Sequence, residues 1–231
     1  MSIHLLRGHE RFQAEFATRE RTFLKRLSSE DQKPSTLYIS CSDSRVIPEL
    51  LTASRPGELF VVRNVANVVP RAEDPAALSA GAAIEYAVSV LKVPHIVVCG
   101  HFGCGGVKAA IAGKERVRHY PHLHQWLDYV EPAATKAKAA GFVDEELETY
   151  AVEENVLDQM LNLISYPCVR EAVDAGTLAL HAWVYDLDGS LSVYDARSRS
   201  FQPYTAQLDR DSERGRLEAE AEAGAEAEAA S

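Results

Sequence analysis

Thr36-Leu37-Tyr38-Ile39-Ser40-Cys41-Ser42-Asp43-Ser44-Arg45 begins as a β-rich apolar run and ends in a cluster of short polar side chains. The same change of character recurs about sixty residues on, where Ile96-Val97-Val98-Cys99 leads into Gly100-His101-Phe102-Gly103-Cys104-Gly105-Gly106. A third run, Leu59-Phe60-Val61-Val62, follows Pro56-Gly57. Short continuous apolar runs of this kind read as strands buried on both faces, as in parallel sheets. Helical signals lie between them. Asp74-Pro75 has the pattern of an N-cap followed by proline at the first helical position, opening an Ala-rich helix to about Lys92. Further helices are expected near 121–139 and 148–165. Thr177 to Tyr194 reads as two strands around the turn Asp186-Leu187-Asp188-Gly189. The fold class expected is therefore α/β: a mainly parallel β-sheet flanked by helices, with an antiparallel edge strand added by the closing hairpin.

Upstream, Leu5, Phe12, Phe16, Phe23 and Leu27 recur at spacings of seven and four, with Arg, Glu and Lys on the other face. That is an amphipathic N-terminal helical arm, which packs on something distant such as a second subunit. Downstream, Glu218 to Ser231 carries five Glu and no basic residue. A Glu/Ala composition offers no packed face. The division expected is one catalytic domain over 1–205 and an acidic tail over 206–231, disordered or a frayed helix.

The chain has 231 residues, 46% of them hydrophobic, enough for one sizeable core. A net charge of −10 argues against nucleic acid as a partner, because phosphate binding requires clustered Lys and Arg. The start, MSIHLLRGHERF, mixes charge into every apolar run, so no signal peptide is expected. No apolar run is long enough to span a bilayer. These features predict a soluble, cytoplasmic protein, in which four Cys serve as buried small hydrophobes or as chemistry rather than as a disulfide framework.

Where strands of an open parallel sheet end, their carboxyl ends form the usual ligand crevice. Cys41-Ser-Asp-Ser-Arg45 and His101-Phe-Gly-Cys104-Gly-Gly106 would meet there, offering two thiolates and an imidazole, a soft set suited to zinc. Three protein ligands leave a fourth position open, the arrangement in which bound water acquires a pKa of roughly 7. Asp43, two residues from a ligand, can face the same cavity and either accept a hydrogen bond from that water or bind the metal itself. Arg45 can hold the carboxylate by a bidentate pair and so decide between the two. Gly103, Gly105 and Gly106 let the loop turn tightly before a helix whose N-terminus favours the Cys104 thiolate.

Taken singly, these residues have blander readings: Cys41 a buried thiol, His101-x-x-Cys104 a chance pair, Asp43 and Arg45 a surface ion pair. Taken jointly, two polar, glycine-flanked segments that each end a strand and carry soft ligands point to a metal centre. Cys99 and Cys168 read as packed thiols. His119, His122 and His124 around Tyr120-Pro121 read as a solvated helix start, and His181 as a satisfied strand residue.

CSDSR at 41–45, RNVAN at 63–67 and HFGCGG at 101–106 together resemble the β-class carbonic anhydrases, as do PGELFVVRN (56–64), IEYAV (84–88), YPCVREAV (166–173) and HAWVYDLDGSL (181–191). The resemblance runs from about Ile3 to about Tyr204. It implies one zinc per chain on Cys41, His101 and Cys104, with Asp43 and Arg45 as a gating dyad. It implies carbon dioxide and bicarbonate as substrates, and a homodimer or tetramer of dimers whose active sites lie at the subunit interface, the N-terminal arm reaching over its neighbour. Gln32, Phe60 and Tyr86 match the substrate positions of the plant-type subclass. Arg63 and Tyr185 match two residues of an allosteric bicarbonate pocket found in the other subclass, but Tyr38 stands where that pocket has Trp, which favours the plant-type site. Two alternatives use the same residues: hydrolysis of CS₂ or COS, and a closed zinc site completed by Asp43 that only stabilises the fold.

Overall fold

The structure, a computed structural model, describes residues 2–205; the acidic tail lies outside the described residues. Six strands, β1 (Thr36–Cys41), β2 (Leu59–Asn64), β3 (His95–His101), β4 (Ala179–Tyr185), β5 (Leu191–Asp195) and β6 (Ser200–Pro203), form one sheet. Their spatial order is β2-β1-β3-β4-β5-β6. The first four run parallel, and β5 and β6 continue antiparallel. The expected hairpin is β4–β5. The second antiparallel strand, β6, was not expected: Ser200-Phe201-Gln202-Pro203 is too short and too polar to signal a strand, and only pairing with β5 defines it.

The helices are α1 (Ser2–Phe12), α2 (Arg21–Ser29), α3 (Pro48–Leu51), α4 (Leu78–Glu85), α5 (Gly105–Ala112), α6 (Pro121–Trp126), α7 (Glu131–Ala139), α8 (Asp144–Leu163) and α9 (Pro167–Asp174). Asp74 caps as read, its side chain accepting from the Ala76 amide at 2.8 Å. The first turn, Pro75–Ala77, is a 3₁₀ turn, and a π-helical turn at Tyr86–Leu91 carries the helix to Lys92, which stops it in the left-handed region at φ 54°. The stretch expected as one helix over 121–139 is broken into α6 and α7 by a 3₁₀ turn at Leu127–Tyr129, ahead of Pro132. None of the described helices is long and apolar enough to cross a membrane.

The two faces of the sheet are filled unequally. Leu37, Ile39, Ile96 and Val98 point to one face and join Ile84, Val107, Val152 and Val156 in the main core. Each fully buried aliphatic side chain there contributes about 1.5–3 kcal/mol. Tyr38, Val97 and Cys99 point to the other face and form a smaller cluster with Val61, Trp183 and Tyr185. Cys99 is thus a buried core thiol, as expected. Helix α8 packs along β3 and β4. Its buried stripe, Ala151, Val152, Asn155, Val156, Gln159 and Leu163, has helical spacing but includes two amides in an otherwise apolar row.

The N-terminal arm is two helices joined by the π-helical turn Gln13–Ala17. Its α2 end is tied down: Arg55 bonds Glu20 at 2.9 Å and lies 4.0 Å over the Phe23 ring. The α1 end leaves Ile3, Leu5 and Leu6 more than half exposed, the condition of an apolar face without cover from its own chain.

Candidate active site

Neighbouring parallel strands β1 and β3 end at Cys41 and His101, and Cys104 is the N-cap of α5. Gly103, at φ 75°, makes the turn between the last two; a side chain there would be strained. All three residues are buried, and their ligand atoms lie within 4.8 Å of one another. Among the described residues this is the sole group of three or more His, Cys, Asp or Glu so arranged.

The donor set fits zinc. The two sulfurs stand 3.9 Å apart, against about 3.8 Å for two thiolates on one tetrahedral zinc. His101 Nδ1 lies 2.9 Å from the Phe102 carbonyl oxygen, which fixes the proton on Nδ1. That leaves Nε2 as an acceptor, and it is buried with no hydrogen-bond partner, a state that costs about 1–3 kcal/mol unless something occupies it. The thiols are coupled. A hydrogen bond from Cys104 is the largest influence lowering the Cys41 thiol; burial opposes it, and His101 and the amides of Asp43 and Ala66 reinforce it. Cys104 is raised by the same hydrogen bond and by burial. A divalent ion between the two sulfurs accommodates both as thiolates.

Asp43 and Arg45 form the expected fork. Arg45 Nε donates to Asp43 Oδ1 at 2.9 Å and Nη2 to Oδ2 at 2.7 Å, while the Arg45 amide donates to Oδ1 at 3.0 Å. Arg45's hydrogen bonds hold the Asp43 carboxyl well below the usual carboxylate range. Asp43 Oδ2 is 3.9 Å from His101 Nε2, so the carboxylate borders the ligand cluster while gripped on both oxygens.

Phe60 and Tyr86 are brought together, ring centroids 5.8 Å apart. Phe60 pairs with Leu37 in the sheet, whereas Cys41 pairs with Asn64; four residues of strand separate the two by roughly 13 Å. Within one chain these rings therefore stand away from the ligand cluster. Gln32 is exposed in the segment between α2 and β1. His124, in the last turn of α6, lies 3.1 Å from Glu115. His181 Nε2 stands 3.2 Å from His95 Nδ1 on the neighbouring strand.

A family model for carbonic anhydrase matches residues 36–191. The β-carbonic anhydrase CcaA superposes with a TM-score of 0.82 at 34% identity, over 88% of this chain and 99% of that one. The chain belongs to the β-class carbonic anhydrases. It is 42% identical to a carbonic anhydrase of Pseudomonas aeruginosa, over 85% of this chain and 89% of that protein. A structure described as one of two tetrameric β-carbonic anhydrases of Sordaria macrospora matches with a TM-score of 0.72 at 30% identity, over 82% of this chain and 94% of that one. As a β-carbonic anhydrase the chain is an enzyme that uses zinc to hydrate carbon dioxide reversibly.

In this β-carbonic anhydrase, two residues hold the ligand loops in roles that the sequence did not reveal. Arg63 was matched to an allosteric pocket. Here its Nε donates to the Cys41 carbonyl at 3.0 Å and its Nη2 to the Asp43 carbonyl at 2.7 Å, clamping the loop that carries the ligand and the dyad. Glu148, on α8, accepts from the Gly103 amide at 2.9 Å and steadies the turn between His101 and Cys104. The readable signal for Arg63 was its position directly after the apolar stretch of β2, level with Ser40 of β1. Glu148 carried none, since a single Glu in an acidic helix start reads as a solvated residue.

Proposed function

We propose that this β-carbonic anhydrase works with an open, plant-type site in which Cys41, His101 and Cys104 hold one zinc per chain. Asp43 and Arg45 would keep the space beside those ligands open for the reaction. The observation that carries the reading is the grip of Arg45 on both oxygens of Asp43, with Oδ2 held 3.9 Å from the ligand imidazole.

When bound, zinc supplies the Lewis acidity that makes water a nucleophile near neutral pH. The chain's residues do the rest. His101 presents Nε2 because Phe102 holds its other nitrogen. Asp43, kept ionised and turned aside by Arg45, would accept a hydrogen bond from the water so activated and orient it toward carbon dioxide. Phe60 and Tyr86 form an apolar wall for the substrate, and the Gln32 amide donates to the bicarbonate product. These three act across a subunit interface, which accounts for the distance along the sheet between Phe60 and Cys41.

The uncovered apolar residues of α1 support a homo-oligomer in which the arm lies on a neighbouring chain, as a dimer or a tetramer of dimers. The engagement of Arg63 with the ligand loop supports the plant-type reading, since it commits to the loop a side chain that an allosteric pocket would need free. The four cysteines are all free thiols, the state a cytoplasm maintains. The reading is tested by stopped-flow carbon dioxide hydration with zinc measured on the same sample. Zinc-dependent hydration is expected; full zinc occupancy with no hydration would support the closed site instead, and activity confined to CS₂ or COS the related hydrolase.

A further inference from the structure

Between β2 and the helix opened by Asp74, the backbone at Ala66 and Asn67 takes two consecutive left-handed conformations, φ 62° and 48°. Neither residue is glycine, so each costs about 1 kcal/mol or more and needs external support. The support is a set of side chains. Asn64 bonds both the amide and the carbonyl of Val68, at 2.6 and 2.8 Å. Trp126 Nε1 donates to the Val65 carbonyl at 2.9 Å. On α8, Asn155 Nδ2 donates to the Ala66 carbonyl at 3.0 Å. Gln159 accepts from the Val69 amide at 2.8 Å and donates to Asn155 Oδ1 at 3.2 Å. Asn155 and Gln159 are the two amides that interrupt the apolar stripe of α8.

The turn they hold lies against both ligand segments. A Cβ placed on Gly106, two residues after Cys104, would fall 2.9 Å from Ala66 Cβ and 3.0 Å from Val65 Cγ1. On its other side the Ala66 amide faces the Cys41 thiol and helps to lower it. The turn is thus seated between the two thiol-bearing loops, and among the described residues the side chain bonded to its Ala66 carbonyl is Asn155.

We infer that Asn155 is a positioning residue for the metal centre: through the Ala66 carbonyl it fixes the left-handed turn seated between Cys41 and Cys104, and so governs how tightly the thiolates retain the ion. The inference rests on the zinc ligands proposed above. Burying an amide in a helix face that could be apolar is disfavoured unless its bonds do something an aliphatic side chain cannot. Here they hold a strained turn at the height of the sulfurs.

The test uses Asn155→Leu, which removes both bonds, and Asn155→Asp, which keeps shape and the acceptor for Gln159 but loses the donor to Ala66. Val169→Ala, a buried residue of α9 that bonds nothing in the turn, controls for lost stability. The readouts are the rate of zinc release to a chromogenic chelator and the thiolate-to-metal absorption of the cobalt(II)-substituted protein. Outer-sphere partners of metal ligands are worth roughly 10–100-fold in affinity, so release at least about tenfold faster and a shifted cobalt band are expected in both Asn155 variants. The Val169 variant should match the wild type. Release within twofold of wild type and an unshifted band in a folded Asn155 variant would overturn the inference, as would equal acceleration in Val169→Ala at matched loss of Tm. Cys41→Ala separates the two levels. If it retains zinc, the ligand reading fails and takes the inference with it. If it loses zinc while the Asn155 variants keep theirs, the inference alone fails.

Discussion

Gly100, the residue before His101, offers a quantitative check of how α8 sits on the sheet. A Cβ there would lie 2.6 Å from Val156 Cγ2 and 3.4 Å from Val152 Cγ1. Carbon atoms in contact ordinarily stay about 3.5–4.0 Å apart, so Gly100→Ala demands about 1 Å of movement. Val156 cannot supply it by rotation, since a helical valine has one strongly preferred rotamer, and it is fully buried. Either α8 lifts from β3 or β3 bends. Overpacking of this size costs about 1–3 kcal/mol. At about 2–4 °C per kcal/mol for a domain of this size, Tm should fall by roughly 2–12 °C in a calorimetric or circular-dichroism melt. Val156→Ala alone should also destabilise, by leaving a cavity. The double variant returns the new methyl to the vacated space and should be more stable than the sum of the singles by about 1 kcal/mol or more. A single Gly100→Ala variant melting within about 1 °C of wild type, or additive singles, would refute the contact.

Three other outcomes are expected. Cys104→Ala should lose zinc and hydration together, read by atomic absorption and stopped flow, because a three-ligand site seldom survives removal of a thiolate; a full zinc complement would contradict the ligand set. Arg45→Ala should keep zinc and lose most hydration, and Arg45→Lys should recover little, since an ammonium cannot hold both carboxylate oxygens; near wild-type turnover in Arg45→Ala would mean the fork is ordinary surface pairing. Arg45 holds the folded Asp43 carboxyl below its unfolded value of about 3.9. The pairing therefore contributes stability that is fully present above that value and is lost as pH falls through the folded one. The Tm difference between wild type and Asp43→Asn should accordingly be flat from about pH 8 to 5 and shrink in stronger acid; a change across the neutral range would point to another group.

Much of this was legible because it depends on short segments. β1 and β3 announce themselves by apolar runs that end in Cys41 and His101, and parallel pairing of those runs is enough to bring the ligands together. Asp43 and Arg45 are two residues apart, so their fork is nearly local. What escaped depends on partners distant in sequence. Ser200–Pro203 is a strand only because β5 lies beside it. Asn155 looks like any polar residue in an acidic helix until the Ala66 carbonyl, 89 residues away, is placed against it. Ala66 itself gave no warning of its left-handed backbone, since alanine has no preference for that region and only the surrounding amides hold it there. Gln32, Phe60 and Tyr86 were singled out by resemblance, and a single chain accounts for the pairing of the rings but not for their task.

The sulfurs of Cys41 and Cys104 come from points 63 residues apart in the chain. At a synthesis rate of about 5–20 residues per second, the first thiol waits on the order of 3–13 seconds for the second to be made. Until β1 pairs with β3, nothing holds Cys41 beside His101 and Cys104. Capture of metal is thereby deferred to a late stage of biogenesis, after the long-range pairing that slows folding has been achieved. The complete three-ligand set exists only once the chain has its topology.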